Sequence, residues 1–276
     1  MDKVIGRVHA FVLLCLFVFS PSWALAGEKH PIIFAHGFGA PYKLYETVIP
    51  IRKIAKKMGY DLHVARTPIG GTVQERAQIL NDEINRLVPH GSFHIFAHSM
   101  GGLDARLAIQ SYGLGSRCLS LTTVATPHRG TIVADYFVKK FDEGAEDSRI
   151  VRWLLRIFGS GVDAIRDLTT ARVEKFNAEV FDDSRVKYFS MGFYIPKPVA
   201  WYSRVPVLWF SHQLLSDAGG TDNDGMVSVD SAQWGETIGT FPSDHWSETS
   251  PVPIRDGLTY KEVLSEAVSN LERRVF

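Results

Sequence analysis

The stretch Phe93-His94-Ile95-Phe96-Ala97-His98-Ser99-Met100-Gly101-Gly102-Leu103-Asp104-Ala105 decides the fold. Phe93 to Ala97 has the pattern of an apolar strand, and Gly101 to Ile109 continues as a helix. Ser99 stands at the corner between them, with a small residue two places before it and another two places after it. A strand that turns so sharply into a helix needs small side chains at those positions, and the strained corner pushes the hydroxyl clear of the sheet. Small-x-Ser-x-Gly alone is common in ordinary strand–helix turns. Its place directly after an apolar strand and before a helical run marks Ser99 as a candidate nucleophile.

Outward from this corner, strand-like runs alternate with helical patterns, the signature of a parallel sheet with crossover helices. Strands are expected at Pro31 to Ala35, Asp61 to Ala65, Phe93 to Ala97, Leu119 to Val124 and Val186 to Met191. Val48, Ile51, Ile54, Ala55 and Met58 recur at helical spacing. Thr72 with Glu75, and Thr259 with Glu262, form capping boxes that open two further helices. From about Thr131 to Phe181 the chain is mostly helical with no clear strand, and we expect an insertion over the sheet. The fold class expected is α/β, a mostly parallel central sheet flanked by helices with a helical lid or cap.

A serine hydroxyl is a poor nucleophile until a base takes its proton, and the base needs an acid to orient it. In folds with this corner the chain order is Ser, then Asp or Glu, then His. Only His128, His212 and His245 follow Ser99. His128, in Thr126-Pro127-His128-Arg129-Gly130, comes too early to follow a strand-end acid and is expected to be structural. His212 lies in the apolar run Val207 to Leu215 with no turn acid before it. His245 sits in a polar turn beside Ser243 and Asp244 and follows Asn223-Asp224-Gly225. Asp224 is preferred over Asp222 and Asp230 because Asn-Asp-Gly is turn chemistry directly ahead of Met226-Val227. Two backbone donors must face the oxyanion. One is the Met100 amide after the nucleophile, and His36-Gly37-Phe38-Gly39 stands where the second is expected, at Phe38.

Lys3 and Arg7 precede an apolar run from Ala10 to Phe19, then Ser20-Pro21 and the small-residue triplet Ala24-Leu25-Ala26. This is the layout of a secretory signal peptide cleaved after Ala26, and the run is too short for the roughly 20 residues a membrane-spanning helix needs. The expected product is exported, secreted or periplasmic. Residues 27–276 are expected to form one catalytic domain. The chain carries 30 Lys and Arg against 30 Asp and Glu, so nothing in its charge favours nucleic acid. Of its two cysteines only Cys118 lies beyond the signal. An internal disulfide is therefore excluded, and Cys118 is expected to be a buried strand thiol.

Phe34-Ala35-His36-Gly37-Phe38, the motif around Ser99, Ala125-Thr126-Pro127-His128-Arg129-Gly130, Leu168-Thr169-Thr170 and Asn223-Asp224-Gly225-Met226-Val227-Ser228 together resemble the ordered motifs of bacterial secreted triacylglycerol lipases of the α/β-hydrolase superfamily. The resemblance implies hydrolysis of long-chain carboxylic esters, with Ser99, Asp224 and His245 catalytic and Phe38 and Met100 forming the oxyanion hole. Short-chain carboxylesterase, phospholipase and acyltransferase chemistry are alternatives, and a non-catalytic binding protein on the same fold is a rival of another class. Ala97 replaces the glycine of the larger lipases and resembles the small Gram-positive type. Larger relatives also carry a calcium site, with ligands two and six residues after the catalytic histidine. Here those positions are Ser247 and Pro251, so no metal and no cofactor is expected, although Asp222, Asp230 and Glu248 remain as nearby carboxylates. Some relatives fold with a dedicated lipase foldase, and nothing in this chain bears on that need.

Arg149 to Phe158 has its arginines on one side and a wide apolar arc on the other, followed by Gly159-Ser160-Gly161. Two readings stand for it. One is a lid helix in which Trp153, Leu154 and Ile157 meet an acyl chain, and the other is a fixed core helix with a solvated arginine edge.

Overall fold

The computed structural model describes residues 29–144, 162–196, 206–219, 222–251, 254 and 257–275. Along the chain run β1 (Ile32–Ala35), a π-helical turn (Leu44–Val48), α1 (Ile51–Lys57), β2 (Leu62–Val64), α2 (Val73–Leu87), β3 (Phe93–His98) and α3 (Gly101–Ser111). They are followed by β4 (Cys118–Val124), α4 (Ile132–Asp142), α5 (Val162–Arg166), α6 (Thr170–Glu179), β5 (Lys187–Tyr194), α7 (Pro206–Gly219), α8 (Val229–Ala232), β6 (Glu236–Pro242) and α9 (Tyr260–Arg274). Among the described residues the strands form one sheet in the order β2-β1-β3-β4-β5-β6, and every neighbouring pair is parallel.

The continuous apolar runs become central strands because both faces of a parallel sheet are covered by crossover helices. Alternation sorts their side chains between two cores. Ile32 and Phe34 of β1 join Phe96, Val124 and the α9 residues Val263, Leu264 and Val268 on one face. Ile33 and Ala35 join Ile95, Leu121, Leu80 and Ile84 with Ala105 and Ala108 of α3 on the other. Cys118 begins β4 and is buried and unpaired, and burial raises its thiol pKa.

Both capping boxes form. The Glu75 amide donates to Thr72 Oγ1 at 3.2 Å while the Thr72 amide donates to Glu75 Oε2 at 2.8 Å, and Thr259 and Glu262 repeat the pattern. Each N-cap is worth about 1 kcal/mol.

The helix expected across Val48 to Met58 is broken at Pro50. A residue ahead of proline is driven out of the helical region, and Ile49 is extended at φ −97° and ψ 112°, so α1 starts at Ile51. The sequence reading assigned neither α7 nor β6. The apolar run Val207 to Leu215 lies within α7, and β6 is an edge strand whose residues are exposed or half-buried. The expected signal peptide, residues 1–26, and the expected lid helix, 149–158, lie outside the described residues.

With all strands parallel, their carboxyl ends share one edge, the place where open α/β sheets bind ligands. His36 to Gly39 leave β1 there, Ser99 leaves β3, and His245 follows β6. Asn223 is drawn to the same edge because its carbonyl accepts the Ile195 amide just beyond β5, at 2.8 Å.

Candidate active site

Ser99 has φ 54°, a left-handed backbone that a non-glycine residue adopts only under strain. Its amide donates to the Val124 carbonyl at 2.9 Å, and its carbonyl accepts Thr126 Oγ1 at 2.8 Å. The helix that follows presses against β1: a Cβ at Gly101 would stand 2.4 Å from the Ala35 carbonyl oxygen. Glycine is therefore required two places after Ser99 by a close backbone approach.

Among the three candidate acids the geometry selects Asp224. Asp222 and Asp230 are exposed, whereas Asp224 is 1% exposed. Its Oδ1 accepts the Met226 and Val227 amides at 2.7 Å each, which fixes the carboxylate plane. Its Oδ2 accepts from His245 Nδ1 at 2.8 Å, and its carbonyl accepts the His245 amide at 3.0 Å. With Nδ1 carrying the proton, His245 Nε2 is an acceptor and faces Ser99 Oγ at 3.0 Å. The chain Ser99–His245–Asp224 can therefore take up the hydroxyl proton and hold the resulting imidazolium against a buried carboxylate.

The loop after β1 leans on Ser99. A Cβ at Gly37 would lie 2.7 Å from Ser99 Cβ and 3.3 Å from Ser99 Oγ. Phe38 lines the cavity above the serine, and Met100 is buried at the amino end of α3, where the first amides of a helix lack intrahelical acceptors. The cavity is about 370 Å³. Ser99, His98 and His245 border it together with Phe38, Leu44, Tyr45, Ile49, Val133, Phe137, Ile165, Leu168 and Met226. The described part of the insertion thus borders the site through α4 and α5. Trp153, Leu154 and Ile157 fall outside the described residues.

His128 is buried away from this chain. Thr123 Oγ1 lies 3.0 Å from its Nε2, its backbone amide donates to the Ser231 carbonyl, and its ring stacks on Trp234. His212 is buried on α7.

The sequence reading missed the second layer behind His245. Glu248 is 1% exposed in the turn after the histidine; its Oε2 lies 3.0 Å from His98 Nε2 and 3.9 Å from His245 Nδ1. The His98 ring sits 4.8 Å from that of His245. Burial, then the neighbouring Asp224, pushes the Glu248 carboxyl well above the ordinary glutamate range, which favours its neutral form. Burial, then His245, holds His98 well below the ordinary histidine range. In sequence Glu248 is one acid among several near His245, and nothing there marks it as buried. Among the described residues, His98, His245 and Glu248 are the one trio whose donor atoms lie within 4.8 Å of each other. Both ring nitrogens of His245 are already committed, so a cation there would have to break the Ser99–His245–Asp224 chain.

No protein-family model matches the chain. It is 33% identical over 211 residues to triacylglycerol lipase 2 of Saccharomyces cerevisiae, covering 71% of this chain and 60% of that protein. It is 26% identical over 176 residues to a triacylglycerol lipase of Pseudarthrobacter phenanthrenivorans, covering 55% and 54%. The matched region thus spans little more than half the length of these curated relatives. Among solved structures, a metagenomic carboxyl esterase superposes with a TM-score of 0.70 at 21% identity, covering 91% of this chain and 77% of that one. The mature lipase BlEst2 of Bacillus licheniformis gives 0.66 at 22% identity, covering 79% and 86%. Their likeness shows the fold. The chain thus has an α/β-hydrolase fold and is similar in sequence to proteins named triacylglycerol lipases.

Proposed function

We propose that the protein is an exported serine hydrolase of carboxylic esters, with triacylglycerols as its substrate class and Ser99, His245 and Asp224 as its catalytic triad. The observation that carries this reading is the hydrogen-bonded chain Ser99–His245–Asp224 opening into a cavity with apolar walls. An acyl chain is the ligand such walls favour, since each buried CH₂ contributes roughly 0.8 kcal/mol.

In this mechanism His245 Nε2 takes the Ser99 proton as Oγ attacks the ester carbonyl. The Phe38 and Met100 amides donate to the oxyanion of the tetrahedral intermediate. The imidazolium returns its proton to the departing alcohol, leaving an acyl-enzyme. A water deprotonated by His245 attacks it and releases the carboxylic acid.

Residues 1–26 serve as the export signal in this reading, residues 27–276 as one catalytic domain, and Trp153, Leu154 and Ile157 as lid contacts for the acyl chain. The deciding experiment is hydrolysis by purified protein of p-nitrophenyl esters of rising chain length beside triolein and phosphatidylcholine. Preference for long-chain esters and triolein supports the reading; preference for short esters, for phosphatidylcholine, or for transfer to an added alcohol replaces the substrate class. Failure of a fluorophosphonate probe to label folded protein removes the catalytic reading and favours a binding protein.

A further inference from the structure

Arg76 of α2 is completely buried, and its guanidinium reaches three different segments. Nε donates to Asp104 Oδ2 on α3 at 2.8 Å, Nη2 donates to the His36 carbonyl at 2.7 Å, and Nη1 donates to the Pro68 carbonyl. His36 is the first residue of the loop that bears Phe38. Pro68 precedes Ile69, whose carbonyl accepts the Gly39 amide at 2.9 Å. One planar fork therefore fixes the residues on both sides of the Gly37-Phe38 pair, His36 directly and Gly39 through Pro68-Ile69. Its third arm ties them to the helix that begins at Met100. The His36 ring is held as well, by Thr67 Oγ1 at 3.0 Å from Nε2.

A buried ion pair is a poor device for stability, because desolvating both charges offsets their attraction. Here the pair is also incompletely satisfied: Asp104 Oδ1 has no hydrogen-bond partner among the described residues. What the arrangement supplies is geometry. Five guanidinium donors in a rigid plane can hold carbonyls of two loops and a carboxylate of a helix at set distances, which a lysine ammonium on a flexible stem cannot do. We infer that Arg76, oriented by Asp104, is a positioning residue that holds the two oxyanion-donor segments, the Phe38 loop and the Met100 end of α3, at the spacing the transition state requires. It touches no substrate. The inference rests on the ester-hydrolase reading and on the Phe38 and Met100 amides as donors.

A group that acts only on transition-state geometry lowers kcat and leaves KM nearly unchanged. Arg76→Lys keeps the charge that Asp104 faces but loses the fork. Its kcat on a soluble p-nitrophenyl ester, counted per fluorophosphonate-reactive serine, is expected to fall about 10- to 100-fold with KM within about twofold. Affinity for a boronic acid, whose tetrahedral adduct with Ser99 mimics the intermediate, should fall by the same factor. Asp104→Asn keeps an acceptor oxygen and removes the charge that orients the fork, so a smaller loss of the same signature is expected. It also serves as the test variant if Arg76→Lys does not fold. Unchanged kcat per reactive serine with only a lower melting temperature, or a loss confined to KM, would overturn the inference. Wild-type protein that labels at Ser99 and hydrolyses esters upholds the ester-hydrolase reading whatever the variants do, and inactivity of the wild type itself fails that reading instead.

Discussion

Gly37→Ala tests how closely the loop after β1 is fitted to the nucleophile. The added methyl would stand 2.7 Å from Ser99 Cβ and 3.2 Å from the His98 carbonyl oxygen. Ordinary contact between such atoms begins near 3.4 Å, so the loop and the serine corner must part by about 0.7 Å or more. Either response is costly. A serine displaced by that amount from the 3.0 Å contact with His245 Nε2 leaves hydrogen-bond range. A loop displaced instead carries Phe38 away from the oxyanion, and one lost donor costs on the order of 10²–10³ in turnover. We expect kcat/KM on p-nitrophenyl butyrate to fall on the order of 10²-fold, about 2.7 kcal/mol of transition-state stabilisation. The melting temperature should fall as well, because Gly37 is buried and the clash must be relieved within the fold. The assay is steady-state kinetics normalised to active serines, beside a thermal melt. Activity within about threefold of wild type would refute the claim that the loop and Ser99 are packed at contact.

Further outcomes follow from the same geometry. Ser99→Ala and His245→Ala should each lower kcat on the order of 10⁶-fold and the double variant no further, because the groups act as one unit; a folded, active Ser99→Ala protein would remove the nucleophile assignment. Burial lowers His36 and His94 to about 4 and holds His98 and His128 well below the ordinary histidine range. A group whose folded pKa is depressed stabilises the fold above its unfolded value, near 6.5, and loses that contribution as pH falls. Melting temperature should therefore drop from about pH 6.5 towards pH 4, each such histidine costing up to about 1.4 kcal/mol per unit, and a flat profile would contradict the burial. Glu248 has the opposite sign, since its raised pKa costs stability as pH climbs above the unfolded value. Glu248→Gln should gain on the wild type in thermal melts as pH rises from about 4.5, and a constant difference would count against its neutral state. EDTA should leave activity and melting temperature unchanged, and a loss restored by calcium would show a metal site.

The parts of this molecule that local chemistry determines were legible before folding. The strand–serine–helix corner needs a small residue on each side, and the two capping boxes announce their helices through residues three apart. The apolar runs of the buried parallel strands carry their own signal. The central sheet needs covering on both faces, which is why β1, β3 and β4 could be read, whereas β6 escaped notice because an edge strand can be built from exposed residues such as Thr237 and Thr240 beside the half-buried Gly239. In the candidate site, the hydrogen-bonded grouping of Ser99, His245 and Asp224 was legible through chain order and turn chemistry, whereas the oxyanion role expected of Phe38 rests on its place after the first strand. Arg76, Asp104, His98 and Glu248 were not, because their meaning comes from burial among partners 28 to 150 residues away. An arginine inside a capped helix reads as an ordinary solvated face. Only the packing of α2 against α3 and the β1 loop shows that it is dry.

Cys118 has a use unrelated to catalysis. In a chain that lacks residues 1–26 it is the sole thiol, and it is 1% exposed on a strand covered on either side by β3 and β5. A reagent can reach it only when the middle of the sheet comes apart. Its alkylation rate in native buffer is therefore a clock for core opening, set by the opening equilibrium when reclosing is fast and by the unfolding rate when it is slow. Varying reagent concentration separates the two regimes. The protein thus carries its own gauge of how long the folded state lasts, at the end of the central strands opposite the Ser99 corner.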